Sequence, residues 1–488
     1  METYSLAGTL RLLRSGKADL KIHSGRVMPG DVFVALPGGE QYIADAVARG
    51  AGVVVCAPNA AEGINAPVRV VACPAPRTVL GRLARARYRT AALDFPVIGI
   101  TGTNGKTTIT YLLEAFFSAL GKRVGVMGTI NYRWPGHEEP APLTTPDCLT
   151  LHANLAHMRE AGVEVAAMEV SSHALDQERV AGINFSGAIF TNLTQDHLDY
   201  HAGMDDYFAS KVKLFKAPYA RLQAAAINAD CAYGRKLLAR HRRALGFGLT
   251  SPKGRRPYVH GEILSLTPQG LHLRMTYEGR RWELESRLVG AFNASNLLAV
   301  QALALALGYK PEQFKVLESF NGVPGRLERI DNPQGLAVFV DYSHTPDALV
   351  NAQRTLKDAG FKRLITVFGC GGNRDRGKRP LMGKAVADFA DIAVLTSDNP
   401  RREDPLAILD DIRPGLASCP QVVEEVDRRK AIAKALALLK PGDALLVAGK
   451  GHEDYQEING QRTHFSDQEH VQMALDKRAQ QAREGATA

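Results

Sequence analysis

The sequence predicts an α/β protein of three domains, each built around a largely parallel sheet. Short apolar segments alternate with amphipathic helical segments along all 488 residues, and Phe95-Pro96 and Pro324-Gly325 mark two joints. A chain of this length is too long for one hydrophobic core, and alternating strands and helices are typical of parallel sheets. We therefore expect domains at residues 1–93, 94–324 and 325–488.

The N-terminal domain is predicted to be a small α/β unit. Residues 31–36 and 52–56 have the pattern of strands, residues 42–50 that of a helix, and an Arg/Ala-rich helix closes the domain. Its polar turn at residues 24–31 holds no pair of residues that indicates catalysis, so a surface turn is the simplest interpretation.

The central domain opens with a strand, a glycine turn and a helix. Residues 97–100 are apolar, residues 101–108 read Thr-Gly-Thr-Asn-Gly-Lys-Thr-Thr, and apolar residues then recur at helical spacing as far as Leu120. The backbone N–H groups of such a turn hold phosphates, its lysine reaches the terminal phosphates, and the next hydroxyl can bind Mg²⁺. This predicts a P-loop in a doubly wound parallel sheet. Ile100 stands where the usual spacing has glycine, and an ordinary glycine-rich turn is the alternative.

Two later strands of this domain end in polar residues. Residues 163–170 carry Glu169 near their carboxyl end, and residues 187–193 lead to His197. Ligands bind beyond the carboxyl ends of parallel strands, so both residues should lie on the P-loop edge. A buried carboxylate needs a partner, which for Glu169 is Mg²⁺ or, alternatively, a basic side chain. For His197, a metal or catalytic role stands beside that of a core histidine.

Two polar positions further along the central domain have plain interpretations. Lys211 lies in a helical pattern, where a solvated lysine is expected from the residues alone. Asn293 or Ser295 is expected to cap the helix that runs to Gly308.

The C-terminal domain is predicted to be a second, Rossmann-like doubly wound sheet. Asn459-Gly460 predicts a hairpin turn, and Ser466 with Glu469 predicts a helix start. Four strands end in polar loops that carry both arginines and carboxylates, which suits a zwitterionic amino acid; solvated surface loops are the alternative. The predicted strands are 336–342, 363–370, 392–397, 421–426 and 443–448, and the loops are 341–344, 369–379, 397–402 and 449–453.

Composition narrows the class of protein. The formal charge of +9 is spread widely, which favours a polyanionic small substrate over nucleic acid. The six cysteines are scattered without metal spacing, as expected for reduced thiols in a cytoplasmic protein. No apolar run approaches the roughly 18 residues of a membrane span.

The motifs together resemble those of the Mur ligase family. The resemblance rests on residues 101–108, 168–173, 369–372 and 398–401, and spans essentially the whole chain. It implies an ATP-dependent ligase of peptidoglycan precursor synthesis that adds meso-2,6-diaminopimelate to the D-glutamate γ-carboxylate of UDP-N-acetylmuramoyl-L-alanyl-D-glutamate through an acyl phosphate. It also implies that the C-terminal domain closes on the central one.

The resemblance further implies roles for single residues, with Lys106, Lys211, Glu169 and His197 as the catalytic group and Lys211 as a carbamylated lysine. ATP would contact Gly102, Thr103, Asn104, Gly105, Lys106, Thr107, Thr108, Asn293, Arg326, Asp341 and His344, and Mg²⁺ would bind Thr107, Glu169, His197 and the Lys211 carbamate. The UDP-substrate would contact Ile22, Ser24, Thr144, Thr145, Ser171, Gln177 and Arg179. Diaminopimelate would contact Arg374, Asp398, Asn399, Pro400, Arg401, Gly449 and Glu453.

The chain differs from the family pattern at two places, and three other functions are alternatives. The family often has Asp-Ser-Arg where this chain has His23-Ser24-Gly25-Arg26, and Leu143 stands where some members have asparagine. The alternatives are the lysine-adding form of the ligase, a folylpolyglutamate synthase, and a P-loop regulator whose last domain is an interaction module. We expect a monomer with small-molecule substrates and no nucleic-acid partner.

Overall fold

A computed structural model describes residues 2–198, 200–251 and 257–487. The chain divides into two compact units, the first comprising Met1–His260, Tyr277–Gly279 and Asn296–Phe314 and the second comprising Gly261–Thr276, Arg280–Ser295 and Lys315–Ala488. The domain boundaries predicted at 93/94 and 324/325 stay predictions. Within the described residues, no helix is both long and apolar enough to cross a membrane.

The first unit begins with a five-stranded, wholly parallel sheet in the order β1-β5-β4-β3-β2. Both faces are covered: Val32 and Val34 enter one core, and Phe33 and Ala35 enter the other. The alternation explains why the predicted strands are apolar throughout. The elements are β1 (Glu2–Thr3), α1 (Leu6–Arg14), β2 (Leu20–Lys21), β3 (Val32–Val34), α2 (Ile43–Ala48), β4 (Val53–Cys56), α3 (Pro58–Glu62), β5 (Arg69–Ala72) and α4 (Pro76–Arg87).

The second sheet of this unit is also mainly parallel, in the order β13-β12-β11-β6-β10-β7, and an antiparallel hairpin, β8–β9, extends it beyond β7. β14 begins beside β13. The elements are β6 (Val97–Thr101), α5 (Lys106–Ala119), β7 (Val124–Met127), β8 (Asn131–Trp134), β9 (His137–Pro140), α6 (Cys148–Glu160), β10 (Val165–Glu169), α7 (Ser172–Asp176), β11 (Phe185–Phe190), α8 (Met204–Val212), β12 (Ala220–Asn228), α9 (Ala232–Arg240), β13 (Leu245–Gly248) and β14 (Tyr258–Thr267).

The order of these strands positions the polar residues at their ends. β6 lies between β10 and β11, with Glu169 in register with Ile100 and Phe190 with Thr101. The carboxyl ends of three neighbouring strands therefore meet at one edge of the sheet, as the sequence predicts. The chain leaves β7 after Met127 and folds back as the β8–β9 hairpin.

The second unit contains a six-stranded sheet in the order β17-β18-β22-β19-β20-β21, parallel except for β17. Alternate residues of β18 enter two cores, Phe339 on one face and Val338 on the other, so helices cover both faces. The remaining elements along the chain are β15 (Gly270–Tyr277), β16 (Arg280–Ser286), α10 (Ala291–Ala306), β17 (Glu328–Arg329), β18 (Ala337–Asp341), α11 (Pro346–Asp358), β19 (Leu364–Phe368), α12 (Lys378–Ala387), β20 (Ile392–Leu395), α13 (Pro405–Ile412), β21 (Val422–Glu424), α14 (Arg428–Leu438), β22 (Ala444–Ala448), β23 (Tyr455–Ile458), β24 (Gln461–His464) and α15 (Asp467–Thr487). From Asn296 onward, α10 belongs to the first unit.

Two local predictions in this unit are confirmed. β23 and β24 form an antiparallel hairpin whose turn residues, Asn459 and Gly460, have φ of +51° and +77°. Such angles are the reason for the Asn-Gly preference in hairpin turns. The hydroxyl of Ser466 accepts a hydrogen bond from the backbone N–H of Glu469 at the start of α15.

Candidate functional site

The glycine turn between β6 and α5 has the geometry of a phosphate cradle. Gly105 precedes the first helical residue with φ of +87°, and a Cβ at this position would overlap Oδ1 of Asn296. The Lys106 side chain folds back and donates to the carbonyl oxygens of Gly102 (3.0 Å) and Thr103 (2.8 Å). The turn therefore joins a helix N-terminus to a lysine at the carboxyl edge of the sheet.

Residues that follow β11 hold this turn in shape. The N–H groups of Thr103 and Asn104 donate to the main-chain and side-chain oxygens of Asn192, at 3.0 and 2.9 Å. The Thr191 hydroxyl donates to the Asn104 carbonyl at 2.6 Å. The shape of the turn is thus fixed by the neighbouring strand as well as by its own glycines. Thr107 and Thr108 follow in the first turn of α5, Thr107 buried and Thr108 half-buried.

Lys211 is buried rather than solvated, so the expectation from the residues alone is wrong. Its side chain, on α8, donates to the Gly102 carbonyl at 2.8 Å, and its nitrogen lies 4.5 Å from the ring centre of Tyr207. The residue is only 1% exposed. Burial, with a smaller effect from the charge of Lys106, holds the pKa of Lys211 well below the ordinary lysine value.

Glu169 is buried at the end of β10, as predicted, and is bound by hydrogen bonds rather than by a basic side chain. Thr129 donates to it twice, from its N–H at 2.8 Å and from its hydroxyl at 3.0 Å. The same hydroxyl lies 3.2 Å from that of Thr144. Within the described residues no lysine, arginine or histidine is paired with Glu169. The salt-bridge alternative is therefore not realised there.

The four other central-domain residues predicted to contact the UDP-substrate form one hydrogen-bonded chain. The Thr145 hydroxyl donates to the Glu169 carbonyl (2.9 Å) and accepts from the Ser171 N–H (3.0 Å). Arg179 donates to the Thr145 carbonyl and, through two nitrogens, to Gln177 Oε1. The chain therefore leads from the backbone carbonyl of Glu169, at the end of β10, to a guanidinium beyond α7.

The two predicted substrate contacts of the first sheet lie apart from that chain. Ser24 begins a short 3₁₀ turn, Ser24–Arg26, and its hydroxyl is the main cause of the lowered pKa of Asp45. Ile22 packs against the core of the first sheet. In the described structure no hydrogen bond joins either residue to Thr144 or Thr145.

His197 lies in a cluster of rings beyond β11. Its φ is +53°, its side chain is 43% exposed, and its Nε2 lies 3.5 Å from Asp196 Oδ2. Its ring centre lies 4.9 Å from that of His173 and 5.9 Å from that of Tyr207. Across the described residues no three His, Cys, Asp or Glu side chains form a ready-made metal centre.

The second unit carries the other predicted nucleotide contacts. Asp341, at the end of β18, accepts from the N–H groups of Leu327 (2.6 Å) and Ser343 (2.8 Å). The Arg326 guanidinium lies 5.2 Å from the ring centre of Tyr342, and His344 Nδ1 lies 2.8 Å from the carbonyl of that tyrosine. Asn293 is buried near the start of α10 and donates to the Val289 carbonyl at 2.9 Å.

The loops after β20 and β22 meet in a buried polar cluster. Asn399 donates to Glu453 Oε2 at 3.0 Å and accepts from the Lys450 ammonium at 3.1 Å. Lys450 is fully buried, and burial lowers its pKa although Asp398 acts in the opposite direction. A Cβ on Gly449 would lie 2.5 Å from Asp398 Oδ2. This cluster brings together four of the seven residues predicted to contact an amino acid: Asp398, Asn399, Gly449 and Glu453.

Arg401 lies beside this cluster in a left-handed conformation, with φ of +56°. Its guanidinium donates to the Gly372 carbonyl at 2.7 Å, so it reaches the loop after β19. That loop carries Arg374, which is exposed, and its Gly372 is packed against buried Pro400. Three of the four polar loops predicted for the amino acid, those after β19, β20 and β22, therefore meet at one edge of the sheet.

Comparison with known proteins identifies the family. The model of the Mur ligase middle domain matches residues 100–304, and that of the Mur ligase glutamate ligase domain matches residues 325–451. The chain belongs to the Mur ligase family.

Similar Mur ligases share nearly the whole length of the chain. A relative from Lawsonia intracellularis is 55% identical over 93% of this chain and 95% of its own, and one from Gloeobacter violaceus is 44% identical over 94% of each. Both are named UDP-N-acetylmuramoyl-L-alanyl-D-glutamate–2,6-diaminopimelate ligase. A solved structure with that name is 34% identical, with a TM-score of 0.70 over 94% of this chain and 95% of its own.

A folylpolyglutamate synthase of Mycobacterium tuberculosis also has a similar structure. It is 20% identical, with a TM-score of 0.57 over 76% of this chain and 92% of its own. At that identity the likeness shows a shared fold and nothing more, so the comparison does not favour this alternative.

Sequence reasoning missed several residues that shape the site of this Mur ligase. Thr129, which donates hydrogen bonds to Glu169, follows the carboxyl end of β7. Because ligands bind beyond the carboxyl ends of parallel strands, the argument that located Glu169 would also have located Thr129. Tyr207 stands four residues before Lys211 on α8, so helical spacing puts both on one face. The ion pair between Arg428 and Asp467 (2.6 Å) is fully buried beside the cluster of the second unit, and no local pattern signals it.

Proposed function

We propose that this chain is an ATP-dependent ligase that joins meso-2,6-diaminopimelate to the D-glutamate γ-carboxylate of UDP-N-acetylmuramoyl-L-alanyl-D-glutamate. The named relatives support this activity over nearly the full chain. The observation that carries the proposal is the edge of the six-stranded sheet of the second unit, where the loop that carries Asp398 and Arg401 is hydrogen-bonded to Glu453 through Asn399. Such an edge offers a guanidinium to a carboxylate and carboxylates to an ammonium group.

In the first step the carboxylate of the substrate becomes an acyl phosphate. A γ-carboxylate oxygen attacks the terminal phosphorus of ATP, the bond to the bridging oxygen breaks, and ADP leaves. The N–H groups of the glycine turn and the Lys106 ammonium are suited to the charge on the phosphates, because pre-positioned donors cost no reorganisation during the reaction. Asn293, Arg326, Asp341 and His344 remain the predicted contacts for the rest of the nucleotide.

The residues of the first unit suit a magnesium ion as well. Glu169 accepts two hydrogen bonds and still has free lone pairs on its oxygens, and Thr107 offers a hydroxyl in the first turn of α5. A single protein carboxylate is sufficient, because Mg²⁺ in such sites is usually held by one or two carboxylates together with substrate phosphates. Bound there, the ion would neutralise phosphate charge. Its proposed ligands are Thr107, Glu169, His197 and the carbamate of Lys211.

In the second step the amine of diaminopimelate attacks the acyl carbon. The C–N bond forms, the C–O bond to phosphate breaks, and the nitrogen loses a proton as the amide is made. We assign the ammonium groups of diaminopimelate to Asp398 and Glu453, supported by the contacts of these carboxylates with Gly449 and Asn399. On the other substrate, the proposed contacts are Ile22, Ser24, Thr144, Thr145, Ser171, Gln177 and Arg179.

Diaminopimelate differs from lysine by a carboxylate at the distal end. Arg401 and Arg374 are the proposed partners of this carboxylate, and an arginine left without its anion disfavours the lysine complex. In the lysine-adding form of the ligase, Arg401 would have no distal carboxylate to bind.

The test is a comparison of acceptor amino acids. The purified chain is incubated with ATP, Mg²⁺ and the UDP-dipeptide, and with meso-diaminopimelate, lysine, or a folate with glutamate; phosphate release and product mass are followed. We expect the tripeptide product with diaminopimelate at a kcat/KM at least about 100-fold above that with lysine. A lysine product at equal efficiency would establish the lysine-adding form, a glutamylated folate the synthase, and nucleotide binding without any product the regulator.

A further inference from the structure

The hairpin formed by β23 and β24 is hydrogen-bonded to the loop that carries Asp398, Asn399 and Arg401. The N–H of Glu457 donates to the Asn399 side-chain oxygen at 3.0 Å, and the Arg401 N–H donates to the Glu457 carbonyl at 2.9 Å. The Asn459 N–H closes the contact by donating to the Arg401 carbonyl at 2.5 Å. The first strand of the hairpin thus continues along this loop as an added strand, with a bridge between Arg401 and Ile458.

Gln456 contributes the one side chain of this strand that bonds to the loop backbone. Successive residues of a strand point to opposite faces, so Gln456 faces away from Tyr455 and Glu457. Its side-chain amide, almost fully buried, donates to the Asp398 carbonyl at 2.8 Å. Its own carbonyl accepts from the Thr463 hydroxyl of β24 at 3.4 Å. The residue therefore links both strands of the hairpin to the peptide between Asp398 and Asn399.

This link matters because the loop holds a costly backbone conformation. Arg401 has φ of +56°, a left-handed conformation that is unfavourable for a residue other than glycine and persists only where the surroundings enforce it. The hairpin supplies bonds to both the N–H and the carbonyl of this residue. The hydrogen bonds between the hairpin and the loop therefore determine the direction of the Arg401 guanidinium. They also determine the direction of the Asp398 carboxylate at the other end of the loop.

We propose that Gln456 is a positioning residue for amino-acid selection: by fixing the Asp398 peptide against the hairpin, it sets the spacing between the Asp398 carboxylate and the Arg401 guanidinium. This inference rests on the proposed function. With the hairpin bound to the loop, both groups are held in a fixed relation, which favours an amino acid with a second carboxylate. A loosened one still binds the ammonium end but distinguishes poorly between acceptors with and without the distal carboxylate.

The test compares Gln456→Met with Gln461→Met. Methionine keeps the length of the side chain but removes the amide donor, and Gln461 is an exposed glutamine on β24 of the same hairpin. For Gln456→Met we expect the KM for diaminopimelate to rise about tenfold, the value of one lost hydrogen bond, and the diaminopimelate-to-lysine ratio of kcat/KM to fall by a similar factor. The KM for ATP should stay within about twofold, and Gln461→Met should behave as the unaltered chain.

A second variant, Gln456→Glu, keeps the shape of the side chain and turns its donor into an acceptor facing the Asp398 carbonyl, so we expect a larger loss of discrimination. If Gln456→Met proves unstable, the diaminopimelate-to-lysine ratio of kcat/KM measured for Gln456→Glu tests the positioning role instead. If either folded variant lowers turnover with diaminopimelate and lysine equally, or changes kcat with both KM values and the acceptor ratio intact, the positioning role is overturned. The unaltered chain is assayed first, since its failure to use diaminopimelate would reject the proposed function instead.

Discussion

The side-chain nitrogen of Lys211 lies 2.8 Å from the carbonyl oxygen of Gly102, and the nitrogen of Lys106 lies 3.0 Å from the same oxygen. Two basic side chains from different helices therefore converge on the first glycine of the phosphate turn. Because Lys211 is buried and close to a second positive charge, its pKa is well below that of an ordinary lysine. A lower pKa increases the fraction of neutral amine, which is the form that reacts with CO₂.

From this relationship we expect Lys211 to carry a carbamate that the ligase reaction needs. Attack of the neutral nitrogen on CO₂ forms a C–N bond and releases a proton, which turns a buried base into an anion. In ¹³C-bicarbonate the chain should give a carbamate NMR signal that Lys211→Met lacks, and this variant should lose about 10²–10³-fold in kcat. Lys213→Met is the control, since Lys213 is exposed and paired with Asp176. Unchanged turnover in Lys211→Met would refute the prediction.

A second prediction concerns Arg401. Replacing it with alanine removes the guanidinium proposed to bind the distal carboxylate, and loss of one partner of such a pair costs about 2–5 kcal/mol, or roughly 30- to 4,000-fold in kcat/KM for diaminopimelate. ATP binding, measured by calorimetry, should be largely intact. Arg402→Ala is the matched control, because that neighbouring arginine is exposed. Wild-type efficiency of Arg401→Ala with diaminopimelate would show the specificity argument to be wrong.

A third prediction concerns the backbone of the phosphate turn. Gly105→Ala forces a side chain into a left-handed residue and against Asn296, so the N–H groups facing the phosphates should be displaced. We expect ATP affinity to fall by at least about tenfold. Gly121→Ala, at the other end of α5, also has a positive φ but meets nothing within 4 Å. It should cost about 1 kcal/mol of stability and leave ATP affinity unchanged, so equal affinities in the two variants would contradict the prediction.

Local patterns were enough to predict the parts of the structure that local forces determine. Glu169 was placed at the correct sheet edge because every parallel strand of a sheet ends on the same side. The Asn459–Gly460 turn was predicted because few other residues adopt two successive positive φ angles. The β8–β9 hairpin was not, because each of its strands has only four residues and β9 is polar and largely exposed, so no apolar alternation of useful length marks it.

Contacts between segments far apart in the sequence could not be predicted from local patterns. The helical pattern predicted the element that carries Lys211 but not that the phosphate turn, 109 residues earlier, covers this side chain. The seating of the hairpin on Arg401 and the Arg428–Asp467 pair likewise join segments that sequence spacing does not relate. The position of such polar groups is decided by the packing of whole elements, which a single sequence leaves open.

The last prediction is a pH dependence of stability that originates at His152. This residue is fully buried on α6, with Nδ1 2.5 Å from the Thr90 hydroxyl and Nε2 2.9 Å from the Ala181 carbonyl. Burial, reinforced by the charge of Arg85, lowers its pKa from 6.5 to about 4. Between those values the unfolded chain binds a proton that the folded chain does not, so His152 favours folding fully above pH 6.5 and this contribution is lost as the pH falls toward 4.

The free energy of unfolding that neutral His152 contributes should fall by about 2 kcal/mol by about pH 5. His152→Gln cannot titrate, so its melting temperature should fall less than that of the unaltered chain when thermal unfolding is followed at about pH 7.5 and about pH 5. His157→Gln, on the exposed side of the same helix, should keep the full pH dependence. Other groups titrate in all three proteins, so the decisive comparison is how far the melting temperature of each protein falls between the two pH values. Parallel melting curves for the unaltered chain and His152→Gln would mean that the buried imidazole is not held neutral in the folded state.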